Sequence, residues 1–376
     1  MLSQKAVGFF LFTICGTIIS FFGALYLYDP MSIFHLPYSR NFTLIGHSRQ
    51  QNVALIRHLS FDSVIMGNSF TANTSAKEAK EIFGGSFLNL SMDGSGIFEQ
   101  GIVLSYVLRH NKIKTVFGVL SEGTQEEHGT YPLSEWGYLY DDYHLNDFQV
   151  YLNKHYVQCF SKWSLSPKCV GYIENLDRPT AWLEIEDHVS RFGGIDVWIA
   201  QNKHEQLSYV LHDSLPKYAE APILSLDTGL SSLEEAKISE YIDRFIAQPA
   251  KMNPETNFVY FFNPFSLLHN AIDARERGMA NHFYWVREAV SMTASLDNVQ
   301  LYYFSNEPFT GDIAVYKDVR HFSPEINSLI LHRIRSGQNH ITLENVESHI
   351  ALLYKRIADF NLKQFNDYVQ EKIQRR

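Results

Sequence analysis

Phe61-Asp62-Ser63-Val64-Ile65-Met66-Gly67-Asn68-Ser69-Phe70 decides how the rest of the chain is read. Ser63 to Met66 has the composition of a short buried strand. Gly67-Asn68-Ser69 reads as a tight turn, and Ala76 to Phe83 as the helix that follows. Gly67 permits the close turn because it lacks a Cβ. In open α/β sheets, ligands and chemistry sit at the carboxyl ends of the strands. This turn therefore sets the Ser69 hydroxyl at the working edge. Backbone N–H groups that open a helix can face an anion or a developing oxyanion. Ser69 is a candidate nucleophile. On the tripeptide alone, the plainer reading of Ser69 as a helix cap is preferred.

Outward from this stretch, strands alternate with helices. Ser86 to Leu90 reads as a second strand, followed by Gly94-Ser95-Gly96 and a helix from Ile97 to about His110. The glycines do not form a dinucleotide fingerprint, since Gly101 is too far on. Thr115 to Leu120, Asn257 to Phe262 and Val299 to Phe304 complete five strands. Such alternation predicts βαβ units and a parallel sheet. Between Thr124 and Thr256 the strand pattern disappears. That region reads as a helical insertion over the sheet's carboxyl edge, with Ala181 to Gln201 mostly helical and a helix capped by Ser231 or Ser232. Within it, Trp136, Tyr138, Tyr140, Asp141, Asp142 and Tyr143 allow two readings. They form a sugar-binding face, or a loop held by its aromatic rings.

Near the amino terminus, Ala6 to Tyr28 is apolar and uncharged. Roughly 20 such residues span a bilayer. A cleavable signal would carry a shorter apolar region, about 7–15 residues, with small residues at the cut. Tyr26, Tyr28, Asp29 and Pro30 stand there instead, so an uncleaved anchor is expected. Lys5 before the span and Asp29 after it place the amino terminus in the cytoplasm. The net charge of −9, with no basic run before Lys372, Arg375 and Arg376, argues against nucleic-acid binding. Of three cysteines, Cys159 and Cys169 stand ten positions apart. They read either as a disulfide in an oxidising compartment or as two free buried thiols. No CxxC or HExxH motif occurs, and neither a metal nor a cofactor is expected.

A second chemical signal lies after the last strand of the parallel series. Asp318 and His321 are three residues apart, just before a helix opened by Ser323-Pro324-Glu325. A carboxylate at that spacing can hold the imidazole Nδ1 and leave Nε2 as a base. Ser69 follows the first strand and Asp318-His321 follow the last. In a doubly wound sheet both lie at the same edge, which turns the preference toward a Ser–His–Asp set.

Gly67-Asn68-Ser69 and Asp318-Val319-Arg320-His321 resemble two signature blocks of the SGNH, or GDSL-like, hydrolase superfamily, over about residues 61–125 and 255–336. The resemblance implies a three-layer, flavodoxin-like parallel sheet and a catalytic triad of Ser69, His321 and Asp318. It also implies an oxyanion hole from the backbone N–H groups of Ser69 and Gly94. The third block departs from the family's usual Gly-x-Asn-Asp. Here the chain reads Leu120-Ser121-Glu122-Gly123, and the asparagine donor is missing. Asn68 replaces the more usual aspartate. The anchor, the insertion and His321-Phe322-Ser323-Pro324-Glu325-Ile326-Asn327 resemble the membrane-anchored branch of teichoic-acid D-alanylation and alginate O-acetylation.

What that resemblance implies is an α/β protein in four parts. These are an anchor at 6–28, a linker at 29–60, an SGNH-like domain at 61–340 with its insertion at 124–256, and a carboxyl-terminal helix at 341–376. It implies a serine acyltransferase or esterase outside the cytoplasm, tethered to the cytoplasmic membrane by one pass. A cell-envelope glycan would be the acceptor and a membrane-bound O-acyltransferase a partner. The alternative is an inactive glycan- or partner-binding module of an envelope acylation complex.

Overall fold

Six strands make one sheet: β1 (Ser63–Met66), β2 (Phe87–Asn89), β3 (Thr115–Leu120), β4 (Asn257–Phe262), β5 (Val299–Tyr303) and β6 (His340–Ile341). Their order is β2-β1-β3-β4-β5-β6. The computed structural model describes residues 4–121, 131–172, 175–182, 185–201, 203–224 and 230–376. Glu122 and Gly123 of the divergent third block lie outside these. β1 to β5 run parallel, and β6 pairs antiparallel to β5 through Leu301–Ile341 and Tyr302–His340. The sheet is therefore mixed, not all-parallel as the strand pattern predicts. Two residues, one of them exposed, show no period that a sequence could reveal.

Helices cover both faces because successive strand residues point to opposite sides. Ile65, Phe117, Phe261 and Tyr302 share one buried cluster with Trp198, Leu331 and Val369. Burying each such side chain stabilises by about 1.5–3 kcal/mol. On the other face, a Cβ on Gly118 would come within 2.8 Å of the Tyr260 ring, so that strand needs glycine to let the ring lie flat against it. Tyr303 there meets His282 Nε2 at 2.7 Å.

Several helix ends follow their residues. Ser231 accepts from Glu234 N and completes a capping box. Ser323 is the N-cap of Pro324–Arg335. The carboxyl-terminal segment is two helices rather than one, Val346–Asp359 and Leu362–Gln374. Asn361 restarts the second by accepting from Gln364 N at 2.9 Å. Ala181 to Gln201 holds only short helices, Glu186–Val189 and Ile195–Ala200.

The chain forms two compact units. One comprises residues 61–130 and 176–376 around the sheet. The other joins residues 1–60 to Tyr131–Asn175. The expected insertion is thus divided between them, and 29–60 is a folded part of its unit rather than a linker. There, Asp29 is buried and accepts from the N–H groups of Ile33, Phe34 and His35 at 2.8–3.0 Å. Its carboxylate is a structural cap, not a solvated flanking charge. Ser48–His58 is a helix whose Val53 to Ile56 are buried. Trp136 and Tyr140 are core side chains, with Tyr140 Oη donating to Arg49 O at 2.7 Å. Those two rings are therefore unavailable to stack on a sugar. Cys159 and Cys169 are bonded, with Cα atoms 5.7 Å apart. The helix Gln4–Tyr28 begins the chain. Its stretch Ala6–Tyr28 has a mean hydropathy of 2.0 and suffices in length and composition to cross a membrane.

Candidate active site

Gly67 has φ +148°, and a Cβ there would lie 2.3 Å from Thr71 Oγ1 and 2.7 Å from Val119 Cγ1. Only glycine fits, and the chain leaves β1 in a sharp turn. Ser69 to Asn73 form turns before the helix Ala76–Phe83 begins. Its N-cap is Ser75, which accepts from Glu78 N. Ser69 is therefore not the cap, and its hydroxyl is free for another partner.

That partner is His321. Ser69 Oγ lies 2.9 Å from His321 Nε2 across 252 positions of chain. His321 Nδ1 lies 3.0 and 2.9 Å from the two carboxylate oxygens of Asp318. An ionised carboxylate only accepts, so Nδ1 carries the proton and Nε2 faces the hydroxyl with its lone pair. Asp318 Oδ1 also accepts from the N–H groups of Arg320 and His321, both at 2.9 Å. Burial alone would push the Asp318 carboxyl up. The charge and hydrogen bonds of His321, with help from the Lys317 ammonium, outweigh it and hold the carboxyl well below the usual range. This chain of groups can take a proton from the serine and hold it as imidazolium.

Two strands separate β1 from β5, so the segment after β5 has to travel back along the sheet edge. The loop following β4 carries it. Ser266 N and Oγ donate to Val319 O at 3.2 and 2.6 Å, and Tyr316 Oη donates to Pro264 O at 2.8 Å. Phe70 packs against Phe265 at 5.7 Å and stacks on His321 at 4.9 Å. Tyr316 and Phe322 form a β-bridge that closes the loop. The Ser69 turn is held in its place by two buried asparagines. Asn327 Nδ2 donates to Phe70 O at 2.8 Å, and Asn89 Nδ2 to Thr71 O and Thr74 O at 2.9 Å.

The two expected oxyanion donors are placed as follows. The Ser69 N–H meets no acceptor among the described residues. Gly94 lies on an exposed turn after β2 with φ +61°. Its neighbours Met92 N and Ser95 Oγ donate to Gly67 O at 2.9 and 3.1 Å, tying that turn to the peptide before Asn68. Asn68 Nδ2 bridges the ends of β1 and β3 by donating to Ser121 Oγ at 3.2 Å. These strands run parallel, but the strand order reverses between them, which is where open sheets form their crevice.

Four further residues at this edge were not singled out by sequence pattern. Trp182 Nε1 donates to Ser69 O at 2.8 Å. Lys317 Nζ lies 4.0 Å over the Trp182 ring and 2.7 Å from His188 Nδ1. Arg191, buried, reaches the same His188 Nδ1 at 2.5 Å. Burial, with Arg191 nearby, pulls Lys317 down to about 8, against the pull of Asp318. Burial, then Lys317 and Arg191, pull His188 down to about 4, so it is neutral at neutral pH. Lys317 adjoins Asp318 and carried a positional signal. Trp182 and His188 sit over 110 residues from Ser69, the first in irregular chain and the second in a four-residue helix too short for a period to mark it.

Asn263, first after β4, is buried, and neither end of its side-chain amide has a partner among the described residues. Among the described residues no cluster of three His, Cys, Asp or Glu side chains is spaced to hold a metal. No family model matches the chain, and no curated protein matches it.

Proposed function

We propose that this protein is a membrane-anchored, SGNH-like serine O-acyltransferase or esterase acting outside the cytoplasm on a cell-envelope polysaccharide. The observation that carries the reading is the 2.9 Å contact of Ser69 Oγ with His321 Nε2, backed by Asp318. His321 takes the hydroxyl proton as Ser69 Oγ bonds to an acyl carbonyl carbon. The bond to the donor's leaving group breaks, and that group leaves with the proton from His321. A sugar hydroxyl or water then attacks the acyl-serine, its proton passing through His321 to Ser69 Oγ. The N–H groups of Ser69 and Gly94 would hold the oxyanion. Anchoring by Ala6–Tyr28 supports the membrane part of this reading. The Cys159–Cys169 bond supports an oxidising compartment.

The test is labelling of the full chain in lipid nanodiscs with a fluorophosphonate, read by peptide mass spectrometry. Ser69 should carry the adduct and Ser69→Ala should carry none. An unmodified Ser69 in the wild type would overturn the catalytic reading. Leu120-Ser121, with no amide donor after β3, favours the second reading of an inactive glycan-binding module. Unlabelled Ser69 with retained binding of envelope glycan would select it. In cells, envelope glycans should lose acyl groups in a Ser69→Ala strain.

A further inference from the structure

The helix Gln4–Tyr28 is exposed on all sides from Ala6 to Ser20, which is 15 residues. At 1.5 Å per residue that bare length is about 22 Å. The hydrocarbon core of a bilayer is about 30 Å thick. From Phe21 onward the helix carries protein against it. Phe21 packs on Phe160 at 5.5 Å and Phe22 on Phe148 at 5.0 Å. Tyr28 meets Phe160 at 5.9 Å and Trp163 at 5.2 Å, and donates from Oη to Ser164 O at 2.6 Å. If Ala6 starts the crossing, the remaining 8 Å or so of apolar depth runs through the turns already clothed by this unit.

We infer that the face formed by residues 157–165 enters the bilayer beside the anchor and binds its interface. This rests on the reading of Ala6–Tyr28 as a membrane span. The composition of the face fits that occupant. Val157, Trp163 and Leu165 are 45–49% exposed within nine residues of one another, next to the Phe160 ring that packs on the anchor. Tryptophan with its indole at the level of a helix end is the side chain that prefers the headgroup boundary. Lys162 and Lys168 are exposed around it and suit anionic headgroups. The Cys159–Cys169 bond closes the loop that presents Trp163 and Leu165, and Ser164 N donates to Cys159 O at 3.0 Å. The loop is thus held in shape before it meets lipid, so little ordering entropy is lost on insertion.

The experiment uses the full chain in vesicles of phosphatidylethanolamine with phosphatidylglycerol. An environment-sensitive fluorophore is placed on native Cys15 and, in a Cys15→Ser background, on Val157→Cys, Leu165→Cys and Lys237→Cys. Lys237 is an exposed position of the sheet unit. Nitroxide-bearing lipids should quench the labels at 157 and 165 at least about threefold more than the label at 237. A water-soluble quencher should show the reverse order. If Cys15 is quenched by lipid while 157 and 165 behave like 237, the membrane face is refuted and the anchor stands. If Cys15 itself escapes lipid quenching, the anchor reading falls, and this inference with it.

Discussion

Two segments bring a histidine to the Trp182 ring, His321 from a loop at 6.1 Å and His188 from a short helix at 5.7 Å, yet they surround the two rings with opposite charge. The His321 loop supplies a buried carboxylate, Asp318, that accepts from Nδ1 and leaves Nε2 toward Ser69. The His188 segment supplies Arg191, and Lys317 joins it, so two cations disfavour a protonated His188. Nearness to the Trp182 ring does not by itself make a histidine a base. The charge behind the ring decides whether it can accept and keep a proton. His321 is arranged with Nε2 on the Ser69 hydroxyl, and His188 as a neutral acceptor for two donors.

The largest effect should separate the two rings. His321→Asn is expected to slow fluorophosphonate modification of Ser69 by about 10²–10⁴-fold, the usual worth of a general base. His188→Asn should leave that rate within about tenfold, since the Ser69–His321–Asp318 contacts remain. Equal losses in time-resolved labelling would erase the distinction.

Stability against pH sharpens it next. A histidine whose folded pKa is lowered binds fewer protons folded than unfolded, so acid favours the unfolded state. With His188 pulled from 6.5 to about 4, stability falls as pH drops through that window. Thermal melts from pH 7 to pH 4 should therefore show a shallower decline for His188→Gln than for the wild type. An identical decline would mean that burial and the two cations together do not lower His188 in the folded chain.

The smallest effect concerns the ring between them. Trp182→Phe keeps an aromatic face but removes the N–H donated to Ser69 O. A single hydrogen bond of this kind contributes about 0.5–1.5 kcal/mol. A loss of that size in urea unfolding, with labelling reduced less than tenfold, is the expected result. No change in either would show that this bond does not hold the Ser69 peptide.

How much of this could be read from residues alone follows the same divide between local and distant causes. Ser63 to Met66 before Gly67, and Asp318 three residues before His321, are local patterns with local reasons. They placed both halves of the site at one sheet edge. The route by which the halves meet was not legible, because it depends on Ser266 and Pro264 receiving a loop from 50 residues onward. Trp182, His188 and Arg191 come from irregular chain and a four-residue helix, where only tertiary packing selects them. Asp29 misled for a related reason. A charge after an apolar span looks exposed by type, yet it is buried with partners that include Tyr151, whereas the buried Trp136 fits the second of its two readings, a ring that holds its loop.

The span of 252 positions between Ser69 and His321 also has a temporal meaning. At synthesis rates of about 5–20 residues per second, the imidazole follows the hydroxyl by about 13–50 s. For that interval the nascent polypeptide carries an ordinary alcohol, with nothing beside it to withdraw its proton. Truncated products that end before His321 would likewise lack that contact. The pairing of hydroxyl and imidazole therefore forms only after the segment carrying His321 has been made.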